Sequence, residues 1–310
     1  MASKNLATSS TPLSPWRAEL RLHADCYEDK TRVRRVHAKG PLQIQKVLYP
    51  EGESIAHAFI LHPPSGIAQD DQLDIQILAS GESHSVFATP GATRWYKSGP
   101  NAQGPSQQNV TLTLCDQSHL EWLPYENLYY DQTWAYNRLE IRLDPLCRMI
   151  GWDMHQFGRI SCGEPWQSGR ARNELLFCLQ GELFWTESAN WTSEHTGDPK
   201  DQHQLAGHSF IGSLWAYGPT LNDDDYEFLA GRLSAEQGCL AAVSQLKVPT
   251  SLPLEPGHTN ETLPSPYSLV IMRTLTNEPQ RGRAVCEWTR NFLRPRVMSV
   301  PASNLRIWAT

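Results

Sequence analysis

The chain has no apolar run near the roughly 20 residues that a membrane-spanning helix requires. It has no surplus of positive charge either: 27 Lys and Arg stand against 33 Asp and Glu, a formal net charge of −6. Nucleic-acid binding usually demands a basic face, so this balance argues against that partner. The opening residues Met1 to Pro15 are polar and rich in Ser and Thr, without the apolar core of a signal peptide. They are expected to form a loose tail ahead of a single β-rich domain over residues 16–310, in a cytosolic protein. Three N-x-T sequons, at Asn109, Asn190 and Asn260, carry no meaning without a secretion signal.

Cysteine chemistry is sparse. Cys26, Cys115, Cys147, Cys162, Cys178, Cys239 and Cys286 are odd in number and dispersed, with no C-x-x-C pair. That pattern indicates neither a disulfide framework nor a zinc site, and most are expected as small core residues. Phosphate-cradling glycine loops are missing, as are H-E-x-x-H and G-x-S-x-G. His57 and His62 lie five apart on a strand-like run, so they point to opposite faces. No ordinary catalytic constellation is visible, and the chain is expected not to be an enzyme and to hold no permanent cofactor.

What is present is alternation. Leu20 and Leu22, Leu42 and Ile44, Leu73, Ile75 and Ile77, Val110, Leu112 and Leu114, and Leu139, Ile141 and Leu143 each alternate with polar residues. Period-two runs mark strands with one buried and one wetted face. Leu175–Leu179, Gln180-Gly181 and Leu183–Trp185 read as a hairpin. Helices come late. Asn222 caps one opened by Asp223, Asp224 and Asp225, acids that the helix dipole explains without a metal. A second is expected from Pro279 to Arg294, with Val285, Trp288 and Phe292 on its apolar face and Pro295 as its stop. The fold class is therefore mostly β, an elongated domain of stacked paired strands with two helices in the last third.

Three segments share a plan: an alternating strand, a turn (Ser80-Gly81, Cys115-Asp116, Asp144-Pro145), then a more apolar strand. This weak repetition suggests stacked layers, with Glu121, Glu126 and Asp153 recurring at similar heights. The stretch Val86–Ser98 breaks at Thr89-Pro90-Gly91 and resumes with Arg94-Trp95-Tyr96-Lys97. Locally it reads as strand, turn and strand with a half-buried aromatic pair. The alternative is a partner contact, since Trp, Tyr and Arg most often anchor interfaces. Trp288, Phe292 and Trp308 join Arg94, Trp95, Tyr96 and Arg159 as candidate docking residues.

Residues Glu121 to Asp131 place three carboxylates, Glu121, Glu126 and Asp131, among Trp122, Leu123, Tyr125, Leu128, Tyr129 and Tyr130. Such acids are either solvated at an edge or line a polar interior that can handle a divalent ion through oxygen ligands.

The chain resembles the urease accessory protein UreD (UreH) family from about Trp16 to Thr310. The likeness rests on Leu48-Tyr-Pro-Glu-Gly52, Leu61-His-Pro-Pro64, Thr89-Pro-Gly-Ala-Thr93 with Trp95-Tyr96, Leu120-Glu-Trp-Leu-Pro124 with Glu126, and Ile150-Gly-Trp152. Gly158-Arg159, Gly163-Glu164, Gly169-Arg-x-Arg172 and Arg306-Ile-Trp-Ala-Thr310 complete it. The resemblance implies a β-rich chaperone that binds apo-urease and, with UreF and the GTPase UreG, supports nickel delivery. It implies that nickel is handled transiently and that GTP is used by UreG. With the family's proposed nickel tunnel, the interior reading extends to six candidate route carboxylates: Asp71, Glu121, Glu126, Asp131, Asp153 and Glu164.

The sequence departs from the family where a glycine-rich run is usual, reading Ser65-Gly-Ile-Ala-Gln-Asp-Asp71, which makes that loop stiffer and more acidic. Segments 193–206 and 249–266 are expected as surface insertions. The rival reading, from 11 Trp, 10 Tyr and scattered acids, is a carbohydrate-binding or glycoside-cleaving β protein. A retaining glycosidase needs two carboxyls roughly 5–5.5 Å apart in an open cleft, whereas the chaperone needs a closed polar channel and an apolar docking face.

Overall fold

The computed structural model describes residues 15–193, 205–248 and 267–305. Strands occupy 53% and helices 13% of the chain, so the β-rich expectation holds. In chain order the strands begin with β1 (Arg17–Tyr27), β2 (Lys30–Lys39), β3 (Gln43–Ile44), β4 (Ile55–Leu61), β5 (Gly66–Ile67) and β6 (Gln72–Ala79). They continue with β7 (His84–Ala88), β8 (Thr93–Trp95), β9 (Ser106–Leu114), β10 (His119–Leu123), β11 (Asn127–Tyr129) and β12 (Trp134–Leu143). The last are β13 (Arg148–Phe157), β14 (Arg170–Leu179), β15 (Glu182–Thr192), β16 (Phe210–Pro219), β17 (Leu240–Lys247) and β18 (Tyr267–Thr276). The helices are α1 (Asp223–Ser234) and α2 (Pro279–Val297).

Two sheets result. The first runs β15-β14-β12-β9-β6-β1-β2, and the second β17-β18-β16-β13-β10-β7-β4-β3, with β5, β8 and β11 attached alongside β13. The repetition read in the sequence is a crossing from one sheet to the other: β6 hands over to β7, β9 to β10, and β12 to β13. Like strands of successive passes then pair in parallel, β6 with β9 and β9 with β12, and β7 with β10 and β10 with β13. The first sheet buries one face and wets the other, which is why its strands alternate. The second is covered on both faces, so β13 reads almost continuously buried.

One face of the second sheet meets the first sheet across Leu22, Ile77, Leu112, Ile141 and Phe177. Its other face holds Val86, Ile150, Trp152 and Met154 against Leu229 of α1 and Leu293 of α2. The core therefore lies in two seams, one between the sheets and one under the helices.

Five expectations change. Glu121 pairs in register with Ile150, three residues before Asp153 on β13, so Glu121 and Asp153 do not share a height. Further on Asn127 pairs with His155, six steps against five, the extra residue being taken up where β10 breaks at Pro124. Leu42 and Ile44 give only the two-residue β3. Helix α2 continues through Pro295 to Val297, because its last turn is anchored from outside: Arg294 binds Glu121 of β10 at 2.9 Å and Arg296 donates to Asp225 of α1 at 2.7 Å. The buried face of α2 is Gly282, Val285, Cys286, Thr289, Arg290, Leu293, Arg294 and Val297, which leaves Trp288 and Phe292 on its flank. The seven cysteines are free thiols, of which only Cys147 and Cys286 are buried and Cys162 is exposed. The expected insertion 249–266 lies outside the described residues, and 193–206 is described only at its ends.

The loop after Pro64 keeps a tight turn without its glycines. Ser65 and Asp70 take φ of 64° and 63°, in the left-handed region. Gly66 is required by close approach, since a Cβ there would meet Tyr96 Cε2 at 2.5 Å and the Arg94 carbonyl at 2.7 Å. Asp70 offsets its strain by accepting the Gln103 and Gly104 N–H groups, each at 3.0 Å.

Candidate functional site

Between the sheets the apolar seam is interrupted by a layer of polar side chains. Gln108, Asn137 and Asn173 occupy one register line on β9, β12 and β14. Two residues further along each strand lie Val110, Leu139 and Leu175, all in the inter-sheet core, so the three amides point inward as well. Facing them on the second sheet are Asn127, Asp153 and His155, by the same parity with Tyr129 and Phe157.

Asp153 is the centre of this layer, 5% exposed. Asn127 donates to its Oδ1 at 2.7 Å and Asn137 to its Oδ2 at 2.9 Å. The other hydrogen of the Asn137 amide goes to Asn173 Oδ1 at 2.8 Å, and Gln108 donates to Asn137 Oδ1 at 3.1 Å. His155 Nε2 stands 3.2 Å from Asp153 Oδ2, and its Nδ1 lies 3.0 Å from the Tyr129 hydroxyl. Burial, followed by the charge of Asp153, pushes the Tyr129 phenol well above its ordinary pKa, so it stays protonated and donates. With Nδ1 accepting from Tyr129, Nε2 carries a proton and faces Asp153. A buried carboxylate without a cationic Arg or Lys partner is costly, and this one is held by two amides and an imidazole.

A cavity adjoins each end of the layer. The one beside β4, β6 and β8 has a volume of about 440 Å³ and is lined by Leu42, Ile60, Thr93, Arg94 and Gln108 among others. The other has about 750 Å³, with Asp153, His155 and Asn173 joined by Trp191, Trp215 and Arg273. An Arg273–Glu187 ion pair of 2.6 Å stands on its wall. The Trp215 indole N–H, in this second cavity, has no partner among the described residues. Asn137 is bonded to a residue of each cavity, Gln108 on one side and Asp153 on the other.

The other candidate carboxylates stand elsewhere. Glu121, 0% exposed, projects from the opposite face of the second sheet. It accepts from Arg290 at 2.8 and 2.6 Å and from Arg294 at 2.9 Å, and His84 lies 3.1 Å away. Burial pushes its carboxyl up, but the Arg290 charge and the His84 hydrogen bond hold it well below the usual range. Glu126 is paired with Arg283 of α2. Asp131 accepts the backbone N–H groups of Gln167 and Ser168 at 2.8 and 2.7 Å. Glu164 is exposed and paired with Arg159, which lies over the Tyr130 ring. Asp71 ties the loop to the chain entry, accepting from Trp16 N at 2.8 Å and Ala68 N at 3.1 Å. Only Asp153 of the six belongs to the polar layer. No group of three His, Cys, Asp or Glu among the described residues is placed to hold a metal ion.

Of the candidate docking residues, Trp95 is a correction: it is fully buried, donating to Asn127 Oδ1 at 2.9 Å and stacking on Tyr129. The turn at Pro90-Gly91 aims it inward to support the polar layer. Arg94 is exposed and Tyr96 half-buried. Trp288 and Phe292 stack at 5.8 Å, and Phe292 stacks on Phe228, itself 58% exposed. Arg232 lies over Trp288 and Arg296 over Phe292, giving an aromatic and arginine patch where α1 meets α2. Trp308 lies outside the described residues. The sequence reading missed Gln108, Asn127, Asn137, Asn173 and His155. Their signal was an amide at an inward position of an otherwise apolar alternation, as at Gln108 two residues before Val110.

Residues 17–309 match the family described as "UreD urease accessory protein". The chain is 34% identical over 301 residues to "Urease accessory protein UreD" of Ralstonia nicotianae, covering 95% of this chain and 94% of that one. Its identity to the protein of the same description from Bordetella pertussis is 35% over 303 residues, 97% of this chain and 100% of the other. With that from Cupriavidus pinatubonensis it is 36% over 298 residues, 95% of each. The chain belongs to the UreD family of urease accessory proteins. Among the described residues no helix is long and apolar enough to cross a membrane.

Proposed function

We propose that this protein is a urease maturation chaperone that binds apo-urease and, with UreF and the GTPase UreG, supports nickel delivery through the polar layer between its sheets. The observation that carries the reading is the continuous string Gln108–Asn137–Asp153–His155, which joins two cavities through an otherwise apolar seam. Nickel is the cargo. Imidazole nitrogen with carboxylate and amide oxygens suits a divalent first-row ion, and among the described residues too few strong ligands converge to store one. Energy comes from the GTP of UreG, since this chain has no phosphate loop. The aromatic and arginine patch of α1 and α2 is the proposed docking face for UreF.

The second cavity has the composition the carbohydrate reading looked for, with Trp185, Trp191, Trp215, Asp153 and Glu187 on its walls. Both carboxylates are engaged, however: Glu187 by Arg273, and Asp153 by two amides and His155. Neither is poised as nucleophile or proton donor, which supports the chaperone reading.

The test is a pull-down of apo-urease and UreF by this protein, followed by urease activation with nickel, GTP and UreG. Capture of both, with activation that depends on this chain, is expected. Full activation without the chain, or steady GTP hydrolysis by the chain alone, would overturn the reading.

A further inference from the structure

A carboxylate and an imidazole 3.2 Å apart in a buried layer are two-thirds of a metal-binding site. Three contacts already occupy most of the roughly four acceptor sites of Asp153, which leaves one open on Oδ1. Its Oδ1 accepts from Asn127, and its Oδ2 is shared by Asn137 and His155. Asn137 donates to the same Asp153 oxygen that His155 faces, so a ligand at residue 137 would stand beside the pair. Its amide is fixed donor-first toward Asp153 because its own oxygen is claimed by Gln108 and its second hydrogen by Asn173. At this point the layer therefore presents N–H groups to the carboxylate, not another acceptor to a cation.

We propose that Asn137 is a positioning residue that keeps Asp153 and His155 from becoming a metal trap. Transit needs binding strong enough to admit an ion and weak enough to release it, and a third anionic or imidazole ligand would end release. The inference rests on the nickel-route reading and names the residue that sets residence on that route.

The experiment measures metal binding and activation separately, on the full chain co-purified with UreF, for wild type, Asn137→Asp, Asn137→His and Asp153→Ala. Ni²⁺ alone is titrated by calorimetry, and Co²⁺ alone by its visible absorption. Asn137→Asp or Asn137→His is expected to bind one ion at least about tenfold more tightly than wild type while urease activation falls. Two substitutions guard against misfolding, because the imidazole adds a ligand without setting a second buried carboxylate beside Asp153. If both variants fold yet bind no more metal than wild type, or if the wild type already holds an ion tightly in a manner lost in Asp153→Ala, the proposal is overturned. If Asp153→Ala activates urease normally, the route reading itself has failed, whatever the titrations give.

Discussion

Arg294 of the C-terminal helix closes on Glu121, 173 residues earlier in the chain, with Nε 2.9 Å from Oε1 and both side chains fully buried. The same guanidinium binds Glu51 at 2.7 and 2.9 Å and reaches the Pro301 carbonyl. Arg290 completes the clasp from one turn earlier. This cluster fastens α2 to the second sheet and holds the chain that follows it. Removing one member strands the others in a dry environment, so Glu121→Gln is expected to cost about 3 kcal/mol or more. Urea denaturation measures it. A change within about 0.5 kcal/mol, the range of an ordinary surface substitution, would contradict the role assigned.

Acid should weaken the fold in two stages. Burial first, then repulsion from His84 and Arg148, lowers the His119 pKa from 6.5 to about 3. The unfolded chain takes up that proton as pH drops through 6.5 and the folded chain does not, so stability declines below that point. Burial pushes the Glu51 carboxyl up, but hydrogen bonds from His57 and Arg294 more than offset this and hold it at about 2. The stability it contributes is complete above 4.5 and is lost between 4.5 and about 2. Tm is expected to fall gradually from pH 7 to 5 and steeply below 4.5, with the upper limb flattened in His119→Gln. A Tm unchanged from pH 7 to 5 would contradict the first stage.

At Ser65, an exposed residue in the left-handed region, glycine removes a penalty of roughly 1 kcal/mol. Ser65→Gly is expected to stabilise by up to that amount in chemical denaturation. At Asp70 the same change should not help, because it deletes the acceptor for Gln103 and Gly104. Equal gains at both positions would show that the hydrogen bonds add nothing.

The patch of Phe228, Trp288 and Phe292 predicts behaviour toward a partner. Phe228 is exposed and Trp288 and Phe292 are half-buried beside it; aromatic surface of this kind marks an interaction site, and truncating an interface anchor commonly costs about 2 kcal/mol. Trp288→Ala is expected to weaken UreF capture roughly 30-fold, at 1.4 kcal/mol per tenfold, without unfolding the chain. The wild-type protein should be poorly soluble alone and soluble when co-expressed with UreF. A well-behaved monomer with no gain from UreF would count against docking at this face.

Much of this architecture is legible in the residues. The alternation at Leu73–Ile77, Val110–Leu114 and Leu139–Leu143, each followed by a turn and a more apolar strand, is the crossing between sheets. The Asn222 cap is there too, its Oδ1 accepting from Asp225 N at 2.8 Å. What escapes is set by neighbours that sequence does not reveal. Pro295 stays helical because its neighbours are held from outside the helix, Arg294 by Glu51 and Glu121 and Arg296 by Asp225. Glu126 and Asp131 drew notice for their apolar surroundings, but an arginine and two backbone N–H groups take them up. Asp153 drew less notice, and only parallel pairing over distant strands brings its amides together.

The central claim is that nickel passes Asp153 on its way to urease. The direct measurement is the nickel content of urease, by mass spectrometry, after maturation with protein carrying Asp153→Ala or Asp153→Asn, with assembly of the complex with UreF and apo-urease verified for each. Loss of the carboxylate at the centre of the layer should lower nickel per active site by about tenfold or more while the complex still forms. Urease loaded to the wild-type level by both variants would contradict the account.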